Sequence, residues 1–98
     1  MKLQTVLEAL ADPNRRQILE LLKDGELSVG EIGSKFDISG ASLSHHLNKL
    51  KAADLVLSKR RGQNIFYSIH TSVFEDAAQW VAGLFEMGVK KNGKNKSK

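Results

Sequence analysis

The apolar residues of this chain change their spacing twice, and that change limits the folds open to it. Leu3, Val6, Leu7 and Leu10 recur at helical intervals, and so do Ile18, Leu21 and Leu22, then Leu43, Leu47 and Leu50. From position 55 the pattern is that of extended chain. Residues 55–60 (LVLSKR) and 64–69 (NIFYSI) are two β-prone runs joined through Arg61-Gly62-Gln63, which predicts a hairpin with a basic, glycine-containing tip. The helical interval then returns, with Val73, Ala77, Trp80, Val81 and Leu84 on one stripe flanked by Phe85 and Met87. A chain patterned this way reads as helices, one hairpin and a closing helix.

Capping residues divide the helical part. Asp12 is a good N-cap and Pro13 fits the first helical position, so a second helix starts there and stops at Asp24-Gly25. Ser28 and Glu31 form a capping box that opens a third helix to about Phe36. Asp37-Ile38-Ser39 reads as a tight turn, with Ser39 capping a fourth helix from about Gly40 to Ala53. Ser72 and Glu75 form a second box, predicted to open the last helix. The order is α-α-α-α-β-β-α, mainly α with a small β-hairpin. A helix pair joined by a three-residue turn and followed by a hairpin is a winged helix-turn-helix.

Charge locates the candidate partner. The net charge is +4, yet five of the fifteen basic residues lie in the last nine positions (Lys90, Lys91, Lys94, Lys96, Lys98), and residues 1–89 sum to −1. Within them, 42–66 hold Lys49, Lys51, Lys59, Arg60 and Arg61 against Asp54 alone, whereas 72–89 hold Glu75, Asp76 and Glu86 and no cation. A near-neutral body with one basic segment fits a directed contact with a polyanion. Residues 1–89 are expected to form one domain for DNA binding and dimerisation. Residues 90–98 are expected to be a disordered Lys-rich tail, adding either phosphate attraction or solubility. The absence of cysteine excludes disulfides and thiolate metal sites. No apolar window is long enough to span a membrane, and Glu8 and Asp12 spoil a signal peptide, so a soluble cytoplasmic protein is expected.

Phasing the fourth helix on Leu43, Leu47 and Leu50 places Ala41, His45, Asn48 and Lys49 on or near the opposite face, with Ser42 and Ser44 on its flanks. Small, hydroxyl, imidazole and amide side chains suit the edges of bases. Asn can pair bidentately with adenine, and Ser can bond several bases or phosphate. Gly40 at the helix start belongs to the same face. His45 and His46 diverge by about 100°, so they cannot chelate one metal side by side. His45 points outward; His46 lies nearer the leucine stripe, where a boundary histidine and a DNA contact are both open. At the hairpin tip Lys59, Arg60, Arg61 and Gln63 suit phosphate or minor-groove contact, and alternation turns only some of them toward DNA. Arg15 and Arg16 are weaker candidates, for a phosphate or for surface ion pairs. Leu3, Val6, Leu7, Leu10, Val73, Ala77, Trp80, Val81, Leu84 and Phe85 make more apolar surface on the first and last helices than one small core needs, which calls for a covering partner. Ser44 and His45 diverge along the helix and form no nucleophile–base pair, and no phosphate loop or ligand cluster is visible, so no enzyme is expected.

Three stretches, in register, resemble one family. Residues 11–19 (ADPNRRQIL) are similar to the "ADPTRxxIL" opening of ArsR-type transcriptional repressors. Ser39 to Leu50, centred on Ser44-His45-His46-Leu47, is similar to their recognition helix, and Lys59-Arg60-Arg61-Gly62-Gln63 followed by Phe66-Tyr67-Ser68-Ile69 to their wing. The resemblance implies a two-fold dimer through the first and last helices, with recognition helices in successive major grooves of an inverted repeat about 34 Å apart. It also exposes departures. The family's metal sensors carry a thiolate where this chain has Ser28, and a second site where it has Thr71, Val73, Leu84 and Met87. None of these is a strong ligand, so no metal and no cofactor is expected, which places the chain nearer the metal-independent, SdpR-like branch.

The function expected is that of a homodimeric repressor, possibly of its own gene, on an inverted-repeat operator of double-stranded DNA. The signal that releases it, a small molecule, a partner protein or concentration alone, stays open. The alternative is a winged-helix module that docks a protein and leaves its basic face unused.

Overall fold

The computed structural model describes the backbone of residues 2–96 and the surroundings of side chains 2–87. Its elements are α1 (Leu3–Leu10), α2 (Pro13–Leu22), β1 (Leu27–Ser28), α3 (Val29–Gly33), α4 (Gly40–Ala52), β2 (Val56–Arg61), β3 (Asn64–Ile69) and α5 (Thr71–Lys96). The expected winged helix-turn-helix is present, with one addition. β1 pairs antiparallel with β3 (Leu27 opposite Tyr67, Ser28 opposite Phe66), making a three-stranded sheet in the order β1-β3-β2. No helix among the described residues is long and apolar enough to cross a membrane.

Local chemistry fixes the breaks between helices. The Asp12 carboxylate accepts from the amides of Asn14 (2.7 Å) and Arg15 (3.4 Å), and Pro13 follows at the first helical position. Partial burial raises the Asp12 pKa, but these two N–H bonds and the nearby His46 and Arg15 outweigh it and hold the carboxyl below its ordinary range. At α3 the capping box is complete: Ser28 Oγ accepts from Glu31 N (3.1 Å), and Glu31 Oε1 accepts from Ser28 N (2.8 Å). α3 ends at Gly33, three residues before the expected stop. A Cβ at Gly33 would sit 3.3 Å from Leu43 Cδ2, so the missing side chain lets the two helices of the helix-turn-helix close on each other. Ser39 caps α4 as expected, accepting from Ser42 N at 3.0 Å.

α4 ends in a Schellman motif. Asp54 sits in the left-handed region (φ 59°), its N–H bonds Lys51 O (2.9 Å), and Leu55 N–H bonds Leu50 O (3.0 Å). The same corner sets the start of α5. His70 N donates to Leu55 O and His70 Nδ1 meets Asp54 O, both at 3.0 Å. With His70 held there, Phe74 N bonds His70 O, and the helix begins at Thr71. Ser72 therefore lies inside the first turn, not at the cap position that its spacing from Glu75 implies. The α5 backbone continues through Lys96, past the break expected at position 89. The expectation for the 90–98 tail lies outside the residues whose surroundings are described.

The core joins all of these elements. Ile18 and Leu22 from α2, Ile32 from α3, Leu47 and Leu50 from α4, and Leu55 and Val56 from the β2 edge are almost wholly buried, with Tyr67 closing the sheet side. Burial pushes the Tyr67 hydroxyl pKa up. Val6 and Ala77, expected on the partner-facing stripe, are buried at 1% and 7% exposure in the chain's own core. Helical phase put them on the apolar side of their helices, and that side packs inward first.

Candidate nucleic-acid interface

The leucine stripe of α4 is its inner face, and the polar residues are carried outward on it. Gly40, Ala41, Ser44, His45, Asn48 and Lys49 are exposed and Ser42 is half-buried, as the phasing requires. His46 is the exception among the proposed contacts. It is 6% exposed, and its Nδ1 lies 3.3 Å from Arg15 Nη1. A ring one step round from Leu47 falls against α2 instead of the outer face.

Among the described residues Arg15 and Arg16 form no ion pairs with carboxylates. Arg15 Nε and Nη2 donate to Ala9 O (2.7 Å) and Glu8 O (3.1 Å), and Arg16 Nη1 donates to Leu10 O (2.7 Å). α1 has no basic residue in its last turn, so the two arginines of α2 satisfy its terminal carbonyls.

Register decides which side each wing residue takes. β2 and β3 pair Val56 with Ile69, Ser58 with Tyr67 and Arg60 with Ile65 on one face, and Leu57 with Ser68, Lys59 with Phe66 and Arg61 with Asn64 on the other. Gly62 follows at φ 62°, the positive angle that a two-residue turn with glycine first demands. The face bearing Val56 and Tyr67 packs on the core, which puts Arg60 on the α4 side of the hairpin. Lys59 and Arg61 lie on the far side. There Arg61 pairs with the Glu26 carboxylate and stacks over Phe66, its guanidinium carbon 4.7 Å from the ring centroid. This partly exposed ion pair and stack hold the wing to the strand-turn region after α2.

Between α4 and the wing runs an open groove of about 340 Å³. Ser44, Leu47 and Asn48 line one wall, Gln63, Asn64, Ile65 and Tyr67 the other, and Val29 and Gly30 its end. The groove joins the outer face of α4 to the hairpin tip, with an apolar floor of Leu47 and Ile65 between polar side chains. Asn64 was not singled out from the sequence, where it reads only as the first residue of the second β-prone run.

On the opposite side Leu7, Trp80, Val81, Leu84, Phe85 and Met87 are exposed, Phe85 at 74%, with Leu3, Leu10 and Val73 half-buried beside them. An apolar groove of about 360 Å³ runs there between Leu10, Leu55, Phe74, Ala77, Val81 and Phe85.

The metal positions implied by resemblance hold no strong ligand, since Thr71 and Met87 offer only a hydroxyl and a thioether. The Ser28 hydroxyl is engaged as the α3 cap, and Val73 and Leu84 have no donor atom. Among the described residues no three His, Cys, Asp or Glu side chains converge.

Comparison with known proteins gives concordant relatives. Residues 10–58 match the model of a helix-turn-helix domain. The transcriptional repressor SdpR of Bacillus subtilis (strain 168) is 43% identical over 86 residues, covering 88% of this chain and 96% of that protein. The transcriptional activator HlyU of Vibrio cholerae is 39% identical over 71 residues, covering 72% and 66%. A crystal structure of an ArsR family transcriptional regulator superposes with a TM-score of 0.81 at 28% identity, covering 89% of this chain and 96% of that one.

Proposed function

The chain belongs to the ArsR family of winged helix-turn-helix transcriptional regulators, and on that premise we propose that it is a homodimeric repressor that binds an inverted-repeat operator without sensing metal. The observation that carries this reading is the exposed polar face of α4, joined by an open groove to the wing tip, together with an exposed apolar surface on α1 and α5. The first surface fits duplex DNA and the second fits another copy of the chain.

Ser44, His45 and Asn48 meet base edges in the major groove, where Asn48 has the amide geometry for adenine. Gly40, Ala41 and Ser42, at the start of α4, approach the backbone, where helix N–H groups favour phosphate. Lys49, Arg60 and Gln63 bind phosphate beside the groove, and Lys59 adds charge from the far side of the wing. Arg61 orders the wing through Glu26 and Phe66. Two copies meet through Leu7, Trp80, Val81, Leu84 and Phe85, with Leu3, Leu10 and Val73 at the edge of the contact. The dimer then covers the promoter, which is how repression follows from binding. The repressing sign is supported by the likeness to SdpR; the likeness to the activator HlyU makes transcription from the operator the deciding readout.

The test is selection of duplexes from a randomised library by the full chain, followed by fluorescence anisotropy on the recovered duplex and a scrambled control. Recovery of an inverted repeat bound about 10³-fold more tightly than the control, unaffected by added zinc, is the expected result. Equal binding of the two duplexes would sink the reading in favour of a protein-docking module.

A further inference from the structure

We propose that Arg15 is a positioning residue for DNA recognition, fastening the recognition helix α4 to the dimer helix α1 through His46. This inference rests on the DNA-binding reading above. One guanidinium reaches three acceptors: Ala9 O and Glu8 O at the end of α1, and His46 Nδ1 on α4, at 2.7, 3.1 and 3.3 Å. Arginine has donors only, so His46 Nδ1 accepts and the ring proton resides on Nε2. His46 in turn backs the exposed His45 ring edge-on, with centroids 5.6 Å apart. The contacts therefore run without a break from the α1 backbone to a side chain on the outer face of α4. Arg16 caps the same helix through Leu10 O without reaching α4, so the two arginines divide the work. Arg15 is poorly placed for phosphate, because each of its three nitrogens already faces one of the chain's own acceptors.

An inverted repeat demands a fixed spacing of the two recognition helices, and in this fold α1 and α4 also meet through core packing. A directional tie adds what apolar packing lacks, resistance to rotation of α4 about its own axis. Without it the polar face of α4 is presented less sharply, and specific binding suffers more than attraction to phosphate.

The test is anisotropy of the full chain on the library-selected and scrambled duplexes at several salt concentrations, normalised to active dimer. Arg15→Lys keeps the charge but cannot span three acceptors, His46→Leu removes the acceptor, and His46→Asn places an amide oxygen near the Nδ1 position. Arg15→Lys and His46→Leu should each weaken binding to the selected duplex about tenfold, and the double variant should be no weaker than either alone. His46→Asn should stay within about twofold of the unaltered chain, and the salt slope and scrambled-duplex affinity should not move. Full specific affinity in Arg15→Lys, or additive losses, would overturn the inference. So would a salt slope reduced by about one in a charge-removing variant, Arg15→Gln, which marks a phosphate contact instead. If His46→Leu does not fold, long-range ¹H–¹⁵N spectra of the unaltered protein decide the geometry, since an Nδ1–H tautomer at His46 excludes the tie. Equal affinity of the unaltered chain for both duplexes would be a different failure, that of the DNA-binding reading itself.

Discussion

The two exposed faces of this domain are built by opposite rules. On α4 every outward side chain of the first three turns is small, polar or cationic, and each stands on a leucine that is nearly fully buried. On α1 and α5 the outward side chains include leucine, valine, tryptophan and phenylalanine, and Ala77 and Val6 beneath them already fill the core. The first face is assembled within one chain. The second exposes apolar surface that a single chain leaves uncovered, and burial of such surface is worth roughly 25 cal/mol per Å². On the function proposed above, specificity would depend on rigid presentation at one face, and occupancy on association at the other.

The largest effect should come from charging the apolar face. Leu84→Glu combined with Phe85→Glu places four carboxylates in a two-fold contact and should yield monomers by light scattering. Losing the linked second half-site should weaken operator binding by about a hundredfold or more, while the circular dichroism spectrum is retained. A dimer that survives both substitutions would locate the interface elsewhere.

Substitutions on the polar face should have smaller and more selective effects. Asn48→Ala should cost about 1–3 kcal/mol on the selected duplex and relax preference at one base pair, with dimerisation unchanged. Arg60→Ala should weaken all duplexes alike and flatten the salt slope by about one. Arg61→Ala should change that slope less, since its guanidinium is engaged by Glu26 and Phe66. Equal slopes for the two variants would mean that the wing turns over when it meets DNA.

The contrast between the faces was readable in the sequence; their edges were not. Helical spacing placed the α4 leucines inside and Ser44, His45 and Asn48 outside, because a long amphipathic helix has one consistent solution. It did not distinguish Val6 and Ala77 from Leu7 and Trp80, since an apolar stripe wider than the core it faces looks uniform until neighbours are in place. β1 escaped because two residues have no period; it exists only because β3 lies alongside. The sides taken by Arg60 and Arg61 depend on hairpin register, and a one-residue slip exchanges them. His46 and Arg15 were left with two readings each, and the deciding contact lies 31 positions apart in the chain. The Ser72 box had the right spacing, but the hydrogen bonds of His70 to the α4–β2 corner start the helix two residues sooner.

The smallest expected effect lies at Asp12, on the joint between α1 and α2 from which Arg15 reaches both α1 and α4. Its carboxyl is held below the ordinary range despite partial burial, chiefly by the amides of Asn14 and Arg15. A depressed carboxylate pKa means that protonation favours the unfolded chain. The stabilisation is whole above the unfolded value of about 3.9 and is lost as pH falls through the lower folded value. Asn caps a helix about as well as Asp but does not titrate. Asp12→Asn should therefore match the unaltered chain within a few tenths of a kcal/mol at pH 7, and lose less stability between pH 5 and pH 3, in urea titrations. Asp12→Ala should cost about 1 kcal/mol at pH 7. Parallel acid losses in the unaltered chain and Asp12→Asn would place the titrating group elsewhere, with Glu31 next in line. Its carboxyl is lowered by the Ser28 amide and hydroxyl in the α3 capping box. Acid would then loosen the helix-turn-helix before it loosened the joint that ties that motif to α1.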